Sequence, residues 1–385
     1  MVTLTDEEML LRESVRKFFS KELEPIAGKM EKEGQPPREL IKKMGELGFL
    51  GSFFPEQYGG SNLSLTSRAI ISEETARISA GFDITLFADI ILFARAVLNH
   101  GSHAQKEKYM RSVIMGEKIG ALAITEPDAG TDALGIKTSA TEEGDYYRLN
   151  GSKTFITNAP IADYFAILTR TSQEKSKIKG GTWFILERGM DGLETGPPLE
   201  KLGMRSSPTG QIFLNEVRVH KDQILGEKGE GFRYLMEALD VERLMEGAST
   251  MGIAEACLEA AAQYAKERIV FGRPIREFQL IQEKIAEMAV GIELGKSYLY
   301  QLCRVADQGE TITRQAAILK YYSSTVTMQA AKEAVQIMGG YGYMEEYKVA
   351  RYFRDAKHHE IGAGTSEIMK VIIARETLKD NRFNQ

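Results

Sequence analysis

The chain has 385 residues, of which 43% are hydrophobic, enough to build two or three structural units. Its 49 basic and 54 acidic residues give a net charge of −5, which argues against a nucleic-acid-binding protein. Cys257 and Cys303 lie too far apart in sequence for a zinc or redox motif, so no metal site is predicted.

The opening residues and the apolar runs bear on where the protein works. The N-terminal segment lacks the basic and apolar parts of a secretory signal, and no run of about 18 apolar residues occurs. The low cysteine content fits a reducing compartment. We therefore expect a cytoplasmic protein without a membrane span.

Helical patterns come first along the chain. Thr5 and Glu8 have the spacing of a capping box, and apolar residues then recur at helical spacing until Pro25 interrupts them. Further helical patterns occupy residues 38–47, 65–98 and 104–115. Together they predict an α-helical N-terminal domain over residues 1–117.

Short β-type runs replace the helical pattern over residues 118–226. Runs at 146–149 and 154–157 flank Asn150-Gly151, a dipeptide typical of tight turns, so a hairpin is predicted there. Further runs lie at 164–169 and 183–186. This part of the chain is predicted to form a small, barrel-like β-sheet domain.

Long helical patterns return over residues 227–385. They span roughly 231–267, 276–307, 312–338 and 364–379, with glycine and proline at their joints. These lengths suit an antiparallel four-helix bundle. The whole chain is therefore predicted to be α+β, and the order of its elements contains no series of βαβ units that would build a Rossmann sheet.

Several separate segments carry polar and glycine-rich motifs. In 124–132, threonines and backbone amides in a Pro/Gly turn are suited to bind a polar ring edge or a phosphate, although alone they describe an ordinary capped turn. The other motifs occupy 150–158, 201–205, 268–272, 336–342, 354–357 and 360–367.

In this order, the motifs resemble the acyl-CoA dehydrogenase family over essentially the whole chain. The resemblance implies an FAD flavoprotein, usually a homotetramer, that oxidises an acyl-CoA to the trans-2-enoyl-CoA. It also implies that the electrons pass to an electron-transfer flavoprotein.

The resemblance further implies which residues hold the FAD. A first set holds the isoalloxazine, with the Thr157 hydroxyl near N5, and comprises Leu122, Ile124, Thr125, Gly130, Thr131, Phe155, Ile156 and Thr157. A second set, from a neighbouring subunit, reaches the pyrophosphate and adenosine and comprises Arg268, Phe271, Gln279, Gln336, Gly339 and Gly340. Thr365 and Glu367 close the site. For Arg268, the alternative is an ordinary solvated arginine at a helix end.

Dehydrogenation needs a carboxylate that removes the α-proton while hydride leaves the β-carbon for flavin N5. In many family members this base directly precedes the Gly-Thr-Ser of the last motif, where this chain has Ala363, which cannot accept a proton. Isovaleryl-CoA dehydrogenase-like members instead carry a glutamate within Asp-x-Glu-Arg, and this chain reads Asp240-Val241-Glu242-Arg243. By this match Glu242 is the catalytic base, and Asp240 and Arg243 lie along the pantetheine arm.

The helical pattern supports the same residue independently. Glu242 falls on a stripe with Leu235, Leu239, Glu246, Ser249 and Ile253, a face expected to be largely buried. The alternative is a solvated glutamate at a groove edge, paired with Arg243 or with a lysine of another helix.

Departures from the family pattern bear on the substrate. Gly362-Ala363 replaces a bulky residue followed by glutamate, which makes room for a branched or cyclic acyl group; with Thr131, these residues are expected to contact the substrate. Asp89 stands alone in an apolar run and is the alternative base, for a cyclic enoyl-CoA of the cyclohexene-carboxyl-CoA type. It is otherwise a helix-surface aspartate bonded to a residue such as Arg95.

Three further questions stay open on the sequence alone. His358 and His359 lie near the same pocket by the match, and ordinary hydrogen-bonded histidines are the default interpretation. A chain that only binds acyl-CoA or flavin without catalysis is a further alternative, against which the retained motifs and Glu242 argue. The same site also permits the reverse, reductase direction.

Overall fold

The computed structural model describes residues 4–172 and 178–379. Helices come first, a sheet follows and helices return, so the predicted α+β class is confirmed. Within the described residues, no helix is long and apolar enough to cross a membrane.

Six helices build the N-terminal part: α1 (Asp6–Glu22), α2 (Ala27–Glu33), α3 (Arg38–Glu46), α4 (Leu65–Leu86), α5 (Arg95–His100) and α6 (His103–Ile114). The predicted capping box begins α1: the Glu8 N–H donates to Thr5 Oγ1 at 3.2 Å, and the Thr5 N–H donates to Glu8 Oε2 at 2.9 Å. The pattern at 65–98 is not one regular helix, because α4 is kinked at Ser79 and a π-helical segment, Phe87–Ala94, joins it to α5.

The middle part is one sheet of eight strands. The strands are β1 (Gly120–Ala123), β2 (Ser139–Glu143), β3 (Tyr146–Thr157), β4 (Tyr164–Arg170), β5 (Gly181–Glu187), β6 (Leu193–Thr195), β7 (Thr209–His220) and β8 (Ile224–Leu225). Their order is β6-β7-β3-β2-β4-β5-β8, and β1 pairs in parallel with β4. In the part of the chain that the structure describes, the end strands β6 and β8 do not pair with each other, so the sheet is open and does not close into a barrel.

The hairpin predicted at Asn150-Gly151 is wrong. β3 runs straight through the dipeptide because β2 pairs with it on one side and β7 on the other. The register with β7 shifts here: Asn150 Oδ1 accepts the Glu216 N–H at 2.9 Å. Gly151 has φ 143°, and a Cβ there would lie 2.7 Å from Thr138 Oγ1. Asn-Gly therefore serves a β-bulge in a central strand.

The C-terminal part contains α7 (Gly231–Glu267), α8 (Gln279–Asp307), α9 (Thr313–Met338), α10 (Lys348–Ala356) and α11 (Ser366–Leu378). Two short strands, β9 (Ile269–Val270) and β10 (Arg273–Pro274), form a hairpin between α7 and α8. α9 packs against α7, α8 and α11, and α7 also packs along α4. The middle of α7 is thereby buried between the N-terminal helices and the bundle.

Candidate active site

Glu242 lies in the buried stretch of α7 and is 7% exposed. Burial raises its pKa to about 7, against the opposing effect of the positive charges of Arg95 and Arg243. A carboxyl group with such a pKa is matched to accept a proton near neutral pH. The solvated, ion-paired alternative for Glu242 does not describe this position.

A small, mostly apolar cavity of about 20 Å³ adjoins Glu242, and its lining also includes Arg95, Asn99 and His100. It is bounded by the π-helical segment, by β1 and β5, and by the first turns of α7. The lining residues include Ile91, Leu92, Leu122, Trp183 and Leu235. Side chains of this kind exclude water from the carboxyl group.

Arg95 lines the same cavity, and sequence reasoning missed its relationship to Glu242. Its guanidinium donates to the Ala238 carbonyl oxygen at a long 3.4 Å, and its charge acts on Glu242 and Asp240. The position of Arg95 directly after the apolar run 90–94 is the sequence signal for a buried arginine. The sequence alone indicates it only as a partner for Asp89.

Asp240 and Arg243 lie together beside the start of α9. Asp240 Oδ2 accepts a hydrogen bond from Thr313 Oγ1 at 2.8 Å, and Arg243 Nη1 lies 3.7 Å from Asp240 Oδ1. Arg243 is buried, and its Nε has no hydrogen-bond partner among the described residues. Among the described residues, the Arg243 guanidinium therefore has an unused hydrogen-bond donor next to Glu242.

The alternative of a helix-surface Asp89 bonded to Arg95 is wrong, because Asp89 is buried and Arg95 bonds to the Ala238 carbonyl instead. Asp89 is 1% exposed, and its Oδ1 accepts the Gly120 N–H at the start of β1 at 2.6 Å. Burial raises its pKa well above the ordinary value. The described residues that line the cavity beside Glu242 include Ile91 and Leu92 of the same segment but not Asp89.

The two segments proposed to hold the isoalloxazine lie side by side. The Thr154 N–H donates to the Thr125 carbonyl oxygen at 2.9 Å, which ties the end of β3 to the segment after β1. Phe155, with φ 56°, is 69% exposed. Ile156 is buried, Leu122, Ile124, Thr125 and Thr157 are half-buried, and Gly130 and Thr131 are exposed.

A buried ion pair behind these segments was missed. Lys153 Nζ donates to Glu126 Oε1 at 2.8 Å and to the Ile124 carbonyl oxygen at 3.0 Å. Glu126 also accepts the Lys137 N–H at 2.6 Å and the Thr138 N–H at 2.9 Å. These bonds fix the turn at 124–131, and only the alternation of residues in β3 hinted that Lys153 points inward.

Five of the six residues expected from a neighbouring subunit line one groove. Its volume is about 1120 Å³, and Arg268, Phe271, Gln279, Gly339 and Gly340 contribute to it; Gln336 is exposed but is not among the described lining residues. Tyr341 also lines the groove, and the Arg268 guanidinium carbon lies 5.9 Å from the centre of its ring.

The groove has features of an incomplete binding surface. Phe271 is 92% exposed and has φ 51°, an uncommon conformation for a residue of this size. Gly339 has φ 58° and ψ −135°, which side-chain-bearing residues avoid. The cavity beside Glu242 and this groove share no described lining residue.

The loop after α10 approaches α7 from the other end of the chain. Ala363 has φ 51°, and a Cβ at Gly362 would lie 2.7 Å from His358 Cε1. Thr365 caps α11 by accepting the Ile368 N–H at 3.3 Å, and Glu367 is exposed in the first turn of that helix.

Three family models match successive parts of the chain: the acyl-CoA dehydrogenase N-terminal domain at 5–117, the middle domain at 121–217 and the C-terminal domain at 229–378. The chain belongs to the acyl-CoA dehydrogenase family. The predicted family, enzyme class and cofactor are thereby confirmed: this acyl-CoA dehydrogenase is an oxidoreductase of an FAD-binding flavoprotein family.

Individual relatives of this acyl-CoA dehydrogenase cover nearly its whole length. It is 41% identical to 3-(aryl)acrylate reductase of Clostridium sporogenes, over 97% of this chain and 99% of that protein. It is 39% identical to mitochondrial isovaleryl-CoA dehydrogenase of Solanum tuberosum, over 97% and 91%. The structure of butyryl-CoA dehydrogenase from Megasphaera elsdenii superposes with a TM-score of 0.95 at 39% identity, over 98% and 100%.

The residues present in this acyl-CoA dehydrogenase fit FAD. The exposed Phe155 and Phe271 offer aromatic surface, and the Arg268 guanidinium lies in the groove with Phe271. A Cβ at Gly130, Gly339 or Gly340 would meet no other atom within 4 Å, so these backbones face open space that a ligand can fill. Anionic and aromatic parts of a dinucleotide match these groups.

Proposed function

We propose that this enzyme dehydrogenates a short branched or cyclic acyl-CoA between its α- and β-carbons, with Glu242 as the base. The observation that carries the proposal is the buried Glu242 carboxyl, with its pKa raised to about 7 by burial, beside an apolar cavity. Ala363 supplies no carboxylate at the other position used in the family.

In this proposal Glu242 accepts the α-proton of the thioester. Bound FAD supplies the hydride acceptor. Ile91, Leu92 and Leu235 keep water away from the carboxylate, which favours proton transfer from a weak carbon acid. Arg95 and Arg243 limit the rise in the pKa of Glu242, so that a sufficient fraction of the carboxylate is ionised at neutral pH.

We propose the following cofactor and substrate contacts from the same geometry. The β1 and β3 segments hold the isoalloxazine, and Thr365 and Glu367 close its site. Asp240 and Arg243 line the pantetheine arm, and Thr131 also contacts the substrate. Gly362 and Ala363 leave room for a branched or cyclic acyl group. Position 362 is restricted to glycine, because a Cβ there would lie 2.7 Å from His358 Cε1.

Assembly and electron transfer complete the proposal. In this proposal the enzyme is a homotetramer, and the groove at Arg268 and Phe271 binds the FAD of a neighbouring subunit. The exposed Phe271 ring supports this, because exposed apolar surface marks an interaction site. Electrons leave to an electron-transfer flavoprotein, as the family resemblance implies.

A second candidate function is the reductase direction. It is favoured by the 41% identity to a protein named 3-(aryl)acrylate reductase. The same residues then act in reverse: Glu242, in its protonated form, returns a proton to the α-carbon of an unsaturated, aryl-bearing thioester. The electron donor decides between the two directions.

Asp89 as the base for a cyclic enoyl-CoA is the remaining alternative. Its hydrogen bond to the Gly120 N–H supports a role in holding β1, and we therefore prefer Glu242.

The test is anaerobic reduction of the purified holoenzyme by a panel of straight, branched, cyclic and aryl-bearing acyl-CoAs. The readout is bleaching of the flavin absorbance. We expect bleaching by a branched or cyclic member, and its loss in Glu242→Gln with FAD retained. Glu237→Gln is the matched control, since Glu237 is an exposed carboxylate of the same helix paired with Arg233. Full bleaching in Glu242→Gln would contradict the proposal.

A further inference from the structure

Two glutamates lie one helical turn apart on the buried side of α7. Glu242 is 7% exposed and Glu246 is 2% exposed. Like charges at this spacing repel each other, and burial removes the water that would screen them. Such an arrangement persists at neutral pH only if one of the carboxyl groups is protonated or has a compensating partner.

His359 is the partner of Glu246. Its Nδ1 lies 2.5 Å from Glu246 Oε2, and both side chains are buried. Burial favours the neutral carboxyl, but the charge of His359 and its hydrogen bond outweigh burial and lower the pKa of Glu246 to about 2. Glu246 is therefore ionised at neutral pH, and the His359 ring is its hydrogen-bond partner.

The same contact fastens the substrate-side loop to α7. His359 stands three residues before Gly362 and four before Ala363. Lys320 of α9 holds the other end of this loop, because its Nζ donates to the Gly364 carbonyl oxygen at 2.5 Å. The loop is thus tied to α7 on one side and to α9 on the other.

We propose that Glu246 and His359 are positioning residues for the dehydrogenation. The buried hydrogen bond between them keeps the charge of Glu246 from competing with Glu242 for a proton, and it holds the loop of Gly362 and Ala363 against α7. The inference rests on the proposed role of Glu242 as the base. Neither residue is expected to touch the reacting carbons.

Other charged and titratable groups face these three side chains. Arg95 and Arg243 act on Glu242; His358 and Lys320 act on Glu246; and Asp83 of α4 acts on His359. Burial lowers the pKa of His358 to about 4, so it is neutral at pH 7. Burial raises the pKa of Asp83 to about 6, so Asp83→Asn is needed to separate its titration from that of the glutamates.

Removing His359 alone should unbalance the site. In His359→Gln, Glu246 loses its imidazole partner, and the two carboxyl groups then titrate as a coupled pair that shares one proton. The upper of their two midpoints should rise. In Glu246→Gln/His359→Gln no second charge is left, so the midpoint of Glu242 should return close to that of the wild type.

The experiment is an infrared pH titration of the holoenzyme, in which the Glu242 band is assigned by its absence in Glu242→Gln. We expect the upper carboxyl midpoint to rise by about one pH unit or more in His359→Gln and to return in the double variant. The acid limb of the pH profile for flavin reduction should follow the same order. An unchanged midpoint in His359→Gln, or a shift that persists in the double variant, would overturn the inference.

Two controls keep the outcome decisive. If His359→Gln does not fold because it leaves a lone buried charge, folding of the double variant supports the pairing, and its failure to fold overturns it. The infrared titration needs no turnover, so it reports on the pair even if another residue proves to be the base. Substrate reduction retained by Glu242→Gln would instead count against the proposed function.

Discussion

Leu122 of β1 and Glu242 of α7 line the same cavity. Leu122 belongs to the segment proposed to hold the isoalloxazine, and Glu242 is the proposed base. The sheet and the bundle therefore bring the two halves of the reaction to one apolar space, although 120 residues separate them in sequence. The space measures about 20 Å³, so an acyl group enters between the base and the flavin segment only when the lining side chains move.

Arg95 should set the pH range in which Glu242 is active. Its positive charge stabilises the carboxylate, so Arg95→Gln should raise the pKa of Glu242 further and move the acid limb of kcat/KM to higher pH, by about one unit. The measurement is the pH profile of flavin reduction for the two proteins. Arg233→Gln, which removes an exposed arginine of α7, should leave the profile in place.

Asp89 should affect stability more than catalysis. Because burial raises its pKa in the folded protein, Asp89 favours folding in its protonated form, and that contribution is lost as pH rises from the ordinary aspartate value through the folded pKa. Asp89→Asn cannot ionise, so its stability should fall less between acidic and alkaline pH than that of the wild type. Urea unfolding midpoints across this range measure the effect, and parallel curves would contradict it.

Phe271 should matter for FAD retention through the assembly. Phe271→Ala removes a 92% exposed aromatic ring from the groove that Arg268 also lines. On dilution, we expect this variant to lose FAD at a higher protein concentration than the wild type does. The test is size-exclusion chromatography, which measures the released flavin, combined with light scattering, which measures the size of the oligomer. Leu47→Ala, at another exposed apolar side chain, is the control. A stable monomer that keeps its FAD would refute the shared site.

Gly362 should be intolerant of larger side chains. A Cβ at this position would lie 2.7 Å from His358 Cε1, so Gly362→Val should push the half-buried His358 ring and narrow the space for the acyl group. We expect a loss of about 1–3 kcal/mol of stability and a larger fall in turnover for branched than for straight acyl-CoAs. Equal falls for both substrate classes would argue against this loop as part of the acyl pocket.

Local signals in the sequence were predictive where no distant strand overrode them, and long-range contacts could not be predicted. The capping box of Thr5 and Glu8 involves neighbours three residues apart, so the sequence alone specified it. Asn150-Gly151 misled because the pairing of β3 on both sides, which overrides a turn preference, comes from strands elsewhere in the chain. The contact of Glu246 with His359 spans 113 residues and leaves no pattern in a single sequence.

The candidate base was found by a different route. Ala363 excluded one position and Glu242 fell on an apolar helical stripe, so a local pattern and the family motif agreed. The sequence did not reveal that Arg95 faces Glu242 or that Asp89 bonds to Gly120, because both facts depend on how α5 and the π-helical segment pack against α7 and β1.

The central claim, that Glu242 removes the α-proton, is tested most directly by hydrogen exchange at the α-carbon of a bound acyl-CoA in deuterium oxide. Mass spectrometry should find rapid α-deuteration by the wild type and by Asp89→Asn, and a rate lower by about 10²–10⁴ in Glu242→Gln with FAD still bound. Exchange at the wild-type rate in Glu242→Gln, together with its loss in Asp89→Asn, would contradict the assignment and move the base to Asp89.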